Sequence, residues 1–242
     1  MCQLDLSPAC RLPPHKVARK LNDALGTGCG VRVLRSAAAP YGAWHSRASA
    51  ARRRYRYLLR CAPASSEGDV FWQEHAWRCA SDSANLDVAA MRAAAESLSA
   101  PESVALGAFV KRERHRHLKE AREAGVDVEQ AYETEVAEVA VYRAAPDLVV
   151  FEIEATRFFY STVRLLVWEL VRVGKGQRSA ADFAAMVAAG SAARGEVGAA
   201  APPQGLCLLR VLYGAGDDPF DGAELGTAFP LWQQSMLPAL PD

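Results

Sequence analysis

The sequence predicts an α+β fold, on three observations. Residues 148–156, LVVFEIEAT, alternate: Phe151, Ile153 and Ala155 on one side, Glu152, Glu154 and Thr156 on the other. That is the period of a half-buried strand. From Phe158 the pattern becomes near-continuous apolar sequence ending at Gly174 and Gly176, as in a buried helix with glycine stop signals. Residues 136–144, VAEVAVYRA, alternate as well and predict a hairpin with 148–156, with Ala145, Pro146 and Asp147 in the turn.

The remaining elements follow in chain order. MCQLDL is short and extended, and prolines at 8, 13 and 14 flank the turn after it. Residues 15–26 predict a helix with Val17, Leu21 and Leu25 inward, and GVRVLR at 30–35 predicts a strand. In AWHSRASAARRRYRYLLR (43–60), Tyr55, Tyr57 and Leu59 share one strand face while Arg54, Arg56 and Arg60 share the other. Arginine pairs with phosphate through a planar fork and tyrosine offers a face for base stacking, so the layout suits RNA. An ordinary sheet with a solvated basic face has the same pattern.

A loop is expected at 62–70, and FWQEHAW (71–77) reads as extended. Asp87 stands at the start of a helix with Val88, Met91, Ala95 and Leu98 at helical spacing. The basic run at 111–122 and the acidic run at 127–138 read as solvated faces or loop. Ser179 followed by Asp182 has capping-box spacing ahead of Phe183, Met186 and Val187. Residues 190–205 are rich in alanine, glycine and proline, hence loop; 205–214, GLCLLRVLYG, is the last strand, and 215–242 is a loosely packed tail.

Composition narrows the function. Lysine plus arginine equals aspartate plus glutamate, 28 each, so no global charge signals nucleic acid, and RNA contact would rest on local patches. Six cysteines lack any C-x-x-C pair, and with five histidines they form no zinc-ligand spacing; they read as reduced thiols of an intracellular protein. That spacing points to no metal site. No apolar run reaches bilayer length, and no signal peptide opens the chain.

Arg157, Ser161, Arg164, Trp168 and Arg172 fall along one stripe of the apolar segment. An unpaired charge inside such a helix is costly. Arg164 therefore either reaches water or faces a pocket and holds a carboxylate.

Four blocks resemble the TruA family of tRNA pseudouridine synthases. WHSRASAARRRYRY (44–57) is similar to F-H-A-R-F-S-A-x-x-R-x-Y-x-Y, and Trp77, Leu86-Asp87, Met91, Ala95 and Leu98 to the spaced W…LD…M…A…L. FEIEATRFFYSTVRLLVWELVRVGKGQRSAADF (151–183) resembles I-E-I-x-A-x-x-F-L-Y-x-M-V-R-x-(I/M)-x-x-x-L-x-x-V-G-x-G-x-x-x-x-x-x-F. APPQGLCLLRVLYG (201–214) resembles A-P-A-x-G-L-x-L-x-x-V-x-Y, and its V-L-Y-G ending leans toward a eukaryotic pseudouridine synthase-like branch.

The resemblance implies a pseudouridine synthase fold, two α+β halves flanking a cleft, commonly as a homodimer. Residues 1–46 would belong to an N-terminal half without its first strand and helix, and 47–214 to the C-terminal half. It implies isomerisation of uridine to pseudouridine in the tRNA anticodon arm, without cofactor or metal. Tyr55 matches the tyrosine that lies against the target base, and Arg164 the arginine that ion-pairs with the catalytic aspartate. His45, Arg47, Arg53 and Arg54 would contact the RNA backbone.

There are departures. The family's nucleophile belongs to an R-T-D-x-G-V-H-A motif, which the 242 residues do not contain; Asp5 falls too late and lacks the Arg-Thr before it. Val104 and Ala105 stand where the family has histidine and aspartate, and Gln204 where histidine is common. Residues 1–242 alone are therefore expected to be inactive. Either the encoded protein carries the aspartate upstream, or the chain is a non-catalytic RNA-binding homologue. Whether it resides in mitochondria, cytoplasm or nucleus stays open.

Overall fold

The computed structural model describes residues 2–61, 72–79, 86–99, 103–111 and 129–220, with 123, 125 and 127 between them. The expected loop at 62–70, the basic run after Lys111 and the tail beyond residue 220 lie outside that set. The chain divides into two compact units, Met1–Ala51 with Val211–Asp242, and Arg52–Arg210.

In the first unit, helix α1 spans Pro14–Leu25. Its Ala18 N–H donates to Ser36 Oγ at 2.8 Å, and that hydroxyl donates to the Pro14 carbonyl at 2.6 Å, so a distant serine satisfies part of the first turn. The strand expected at 30–35 does not form: Val31 and Leu34 are exposed. The Asn22 side chain instead takes the place of a partner strand, exchanging 2.7 and 2.8 Å hydrogen bonds with the Val33 backbone. Residues 2–6 likewise join no sheet. Buried Trp44 packs on Tyr213, ring centroids 5.4 Å apart, and donates its indole N–H to the Asp217 carbonyl.

The second unit is a mixed α+β body. Strands β1 (Ala50–Arg60), β2 (Trp77–Arg78), β5 (Val136–Ala145) and β6 (Leu148–Ala155) lie in the order β2-β1-β6-β5, and β7 (Leu206–Tyr213) also pairs with β1. Pairing is antiparallel in β1–β6 and β5–β6 and parallel in β1–β2. A separate two-stranded ribbon joins β3 (Val104–Ala105) and β4 (Glu133–Thr134). Of the 71–77 segment, expected to be extended, residues 72–76 turn back through hydrogen bonds from His75 and Ala76 to the Trp72 carbonyl, leaving only the two residues of β2. The β5–β6 hairpin forms with Ala145 opposite Leu148.

Helices α2 (Val88–Ala95), α3 (Thr162–Gly174) and α4 (Ala180–Ala189) cover one sheet face. Asp87 caps α2 by accepting the Ala90 N–H, and the Ser179–Asp182 capping box starts α4 with both reciprocal bonds. Helix α3 begins four residues later than the apolar pattern suggests. Ser161, at φ 66°, holds a left-handed turn ahead of it, a conformation uncommon outside glycine.

Register explains the core. Tyr55, Tyr57 and Leu59 lie opposite Ile153, Phe151 and Val149, giving the face on which the helices pack. On the other face Arg54 and Arg56 lie opposite Glu154 and Glu152. Strand β6 was expected to be half-buried, yet all eight of its residues are buried, the glutamates included. Arginines of β1 cover them: Arg54 reaches Glu138 at 2.6 Å and Glu152 at 3.0 Å, and Arg56 reaches Glu152 at 2.6 Å.

Candidate active site

Strand β1 and helix α3 meet at Tyr57 and Arg164. Tyr57 is fully buried, and its hydroxyl donates to the Pro202 carbonyl at 2.6 Å. Burial pushes its phenol well above the usual tyrosine range, and the nearby Arg164 charge works against that shift. Arg164 is half-buried; its Nε donates to the Ala201 carbonyl at 2.5 Å, and the Ala201 N–H donates back to the Arg164 carbonyl at 3.0 Å. Among the described residues no carboxylate pairs with the Arg164 guanidinium. The half-buried guanidinium against a backbone carbonyl is neither the solvated arginine nor the carboxylate-bound one that the sequence allowed.

Tyr55 shares the Tyr57 face, two residues along β1, and its ring meets Phe158 edge-on at 5.1 Å. Arg164 thus stands beside Tyr57, with Tyr55 the next side chain on that face, about 7 Å along the strand.

The expected RNA contacts separate into two groups. His45 and Arg47 belong to the first unit and are exposed. His45 Nδ1 accepts the Arg47 and Ala48 N–H groups at 3.1 and 3.2 Å, so the imidazole staples this turn, and the His45 backbone N–H donates to Ser49 Oγ. Arg53 and Arg54 belong to the second unit. Arg53 donates to the Thr156 carbonyl at 3.0 Å. The Arg54 side chain, 19% exposed, sits among Glu138, Glu152 and Glu154. Burial works against its charge, but Glu152 and Glu138 outweigh burial and hold it more firmly protonated.

Three features escaped the sequence reading. The Tyr57 hydroxyl bonds to the Pro202 carbonyl, next to the Ala201 that Arg164 binds, although Tyr55 and Tyr57 are equivalent by pattern. Glu169, inside α3, is fully buried. The 196–205 segment, expected to be loop, is a strap laid along α3, with short 3₁₀ turns beside it at Gly190–Gly195 and within it at Pro203–Gly205. A glutamate inside an apolar helix, three residues before an arginine, was the available signal, since a buried carboxylate needs partners.

The six cysteines are free thiols. Among the described residues no group of three or more His, Cys, Asp or Glu is placed to hold a metal ion, and no helix is long and apolar enough to cross a membrane.

A family model described as tRNA pseudouridine synthase matches residues 111–214. The chain is also similar to proteins named tRNA pseudouridine synthase A. Identity is 36% over 202 residues with that of Nostoc sp., covering 84% of this chain and 62% of the relative. It is 36% over 230 residues with that of Thermosynechococcus vestitus (95% and 71%) and 34% over 226 residues with that of Synechocystis sp. (93% and 72%). The chain thus spans between three fifths and three quarters of these relatives' lengths. It belongs to the TruA family of tRNA pseudouridine synthases.

Proposed function

We propose that the protein isomerises uridine to pseudouridine in the anticodon arm of tRNA. The observation that carries this reading, beside family membership, is the Arg164 guanidinium. It is half-buried beside the tyrosine face of β1, has a carbonyl partner, and lacks a carboxylate among the described residues.

The chemistry follows. The target uridine leaves the stack, because its glycosidic bond and C5 are out of reach inside it. A carboxylate attacks or deprotonates the sugar, the N1–C1′ bond breaks, the uracil turns, and C5 joins C1′ before losing its proton. Arg164 holds that carboxylate ionised and aimed. Tyr55 stacks on the base and assists removal of the C5 proton. His45, Arg47, Arg53 and Arg54 add salt-dependent, sequence-independent affinity for the RNA backbone. Two α+β halves around a cleft, paired as a homodimer in a pseudouridine synthase fold, complete the proposal.

One observation favours a second reading, a non-catalytic tRNA-binding homologue: the R-T-D-x-G-V-H-A motif is absent from residues 1–242. One measurement separates the readings, and a second tests both. An in-frame R-T-D-x-G-V-H-A upstream in the transcript supports the enzyme, and its absence the binder. Purified residues 1–242 should bind tRNA with an affinity that falls steeply with salt and should form no pseudouridine. Salt-independent binding would overturn both readings.

A further inference from the structure

The 196–205 strap is fixed to α3 at two levels. At its far end, Glu169 accepts the Gly198 N–H at 2.8 Å through Oε1. Its Oε2 lies 3.1 Å from Arg172 Nη1 and 3.0 Å from Arg178 Nε. Arg178 in turn donates to the Glu196 carbonyl at 3.3 Å, so carboxylate and guanidinium grip both ends of 196–198. Gly198 closely approaches Trp168: a Cβ there would come within 2.7 Å of the indole Nε1. Trp168 stacks on Trp77 at 5.5 Å with 10° between the planes.

At the near end the strap touches the candidate chemistry. Ala201 exchanges two hydrogen bonds with Arg164, Pro202 accepts the Tyr57 hydroxyl, and Gly205 leaves no room for a Cβ against the Tyr57 ring, 2.6 Å away. Both side chains are aimed by carbonyls of one short segment. The anchor that places this segment is a carboxylate one turn and a residue beyond Arg164 on the same helix.

We propose that Glu169 is a positioning residue, which through the strap holds the Arg164 guanidinium and the Tyr57 hydroxyl in register. A buried charge with three partners is a costly device for packing alone, where an apolar side chain serves as well. Its charge is matched by Arg172 and Arg178, and its remaining capacity is spent on one backbone N–H of the strap. This inference rests on the isomerase reading only for its effect on catalysis.

The test is amide hydrogen exchange and steady-state kinetics on the intact protein, comparing wild type with Glu169→Leu and Gly198→Ala. The first removes the anchor; the second leaves the carboxylate intact and lifts the strap off Trp168. In both, the amides of residue 198 and of Ala201 should exchange at least roughly ten-fold faster, while Leu170 and Val171 inside α3 stay within about three-fold. In both, kcat for pseudouridine formation should fall roughly ten-fold with KM within about two-fold. Glu169→Gln, which keeps an acceptor for Gly198, should recover part of the Gly198 protection. Unchanged exchange at residue 198 and Ala201 in both variants overturns the proposal, as does a loosened strap with unchanged kcat. A wild-type protein that makes no pseudouridine overturns the isomerase reading instead, and the exchange pattern then decides the anchor by itself.

Discussion

Arg164 and Ala201 bind each other in both directions, guanidinium Nε to carbonyl at 2.5 Å and amide N–H to carbonyl at 3.0 Å. This pairing joins the apolar helix to the alanine- and proline-rich segment that follows it. It also leaves the guanidinium with donor capacity beyond the one bond it makes to the strap.

Tyr57→Phe tests the neighbouring link. Losing the hydroxyl leaves the partly buried Pro202 carbonyl without its donor, at a cost of about 1 kcal/mol. Urea denaturation should show a lower midpoint with an unchanged slope.

The arginine–glutamate face of the sheet makes a larger prediction. The Glu152 side chain is 3% exposed, meets Arg54 and Arg56, and accepts the Tyr142 hydroxyl at 3.1 Å. Glu152→Ala takes the carboxylate from Arg56 and leaves Arg54 to Glu138 and Glu154, and should destabilise by roughly 3 kcal/mol. The same denaturation experiment measures it.

Asp182 governs acid sensitivity at the start of α4. Its hydrogen bonds with Ser179 hold the carboxyl below the ordinary aspartate value. A folded value below the unfolded one means that the unfolded chain binds the proton more readily. The contribution is therefore complete above the ordinary value and is lost as pH falls through the folded one. Asp182→Asn should lower the melting temperature at pH 7, and the gap to wild type should narrow on acidification.

Thiol reactivity should divide the cysteines. Cys2, Cys10 and Cys29 are exposed, whereas burial, with the neighbouring Cys79, pushes Cys61 up to about 11. Starting from 9.0, that shift lowers the thiolate fraction at pH 8 roughly 100-fold. Alkylation followed by peptide mass mapping should label the three exposed thiols first and Cys61 last.

Local pattern revealed much of this architecture. The Phe151–Ile153–Ala155 alternation, the β5–β6 hairpin, the Asp87 cap and the Ser179–Asp182 box are each encoded within a few residues, and each forms. What pattern could not show was pairing over distance. Glu152 and Glu154 look solvated until β1 lays arginines over them, from almost a hundred residues away in sequence. Val31 and Val33 alternate like a strand, but the Asn22 side chain takes the place of a partner strand. At the site, the tyrosine ladder and the odd arginine were visible. That Tyr57 bonds to Pro202, and that 196–205 is a strap, depend on contacts with a segment whose composition reads only as loop.

The most direct test of the functional account maps pseudouridine in unmodified tRNA transcripts after incubation with the protein expressed from its complete transcript. The account predicts pseudouridine within the anticodon arm, abolished by Arg164→Ala and strongly reduced by Tyr55→Phe. Tight tRNA binding with no pseudouridine at any position, or isomerisation unaffected by Arg164→Ala, would contradict it.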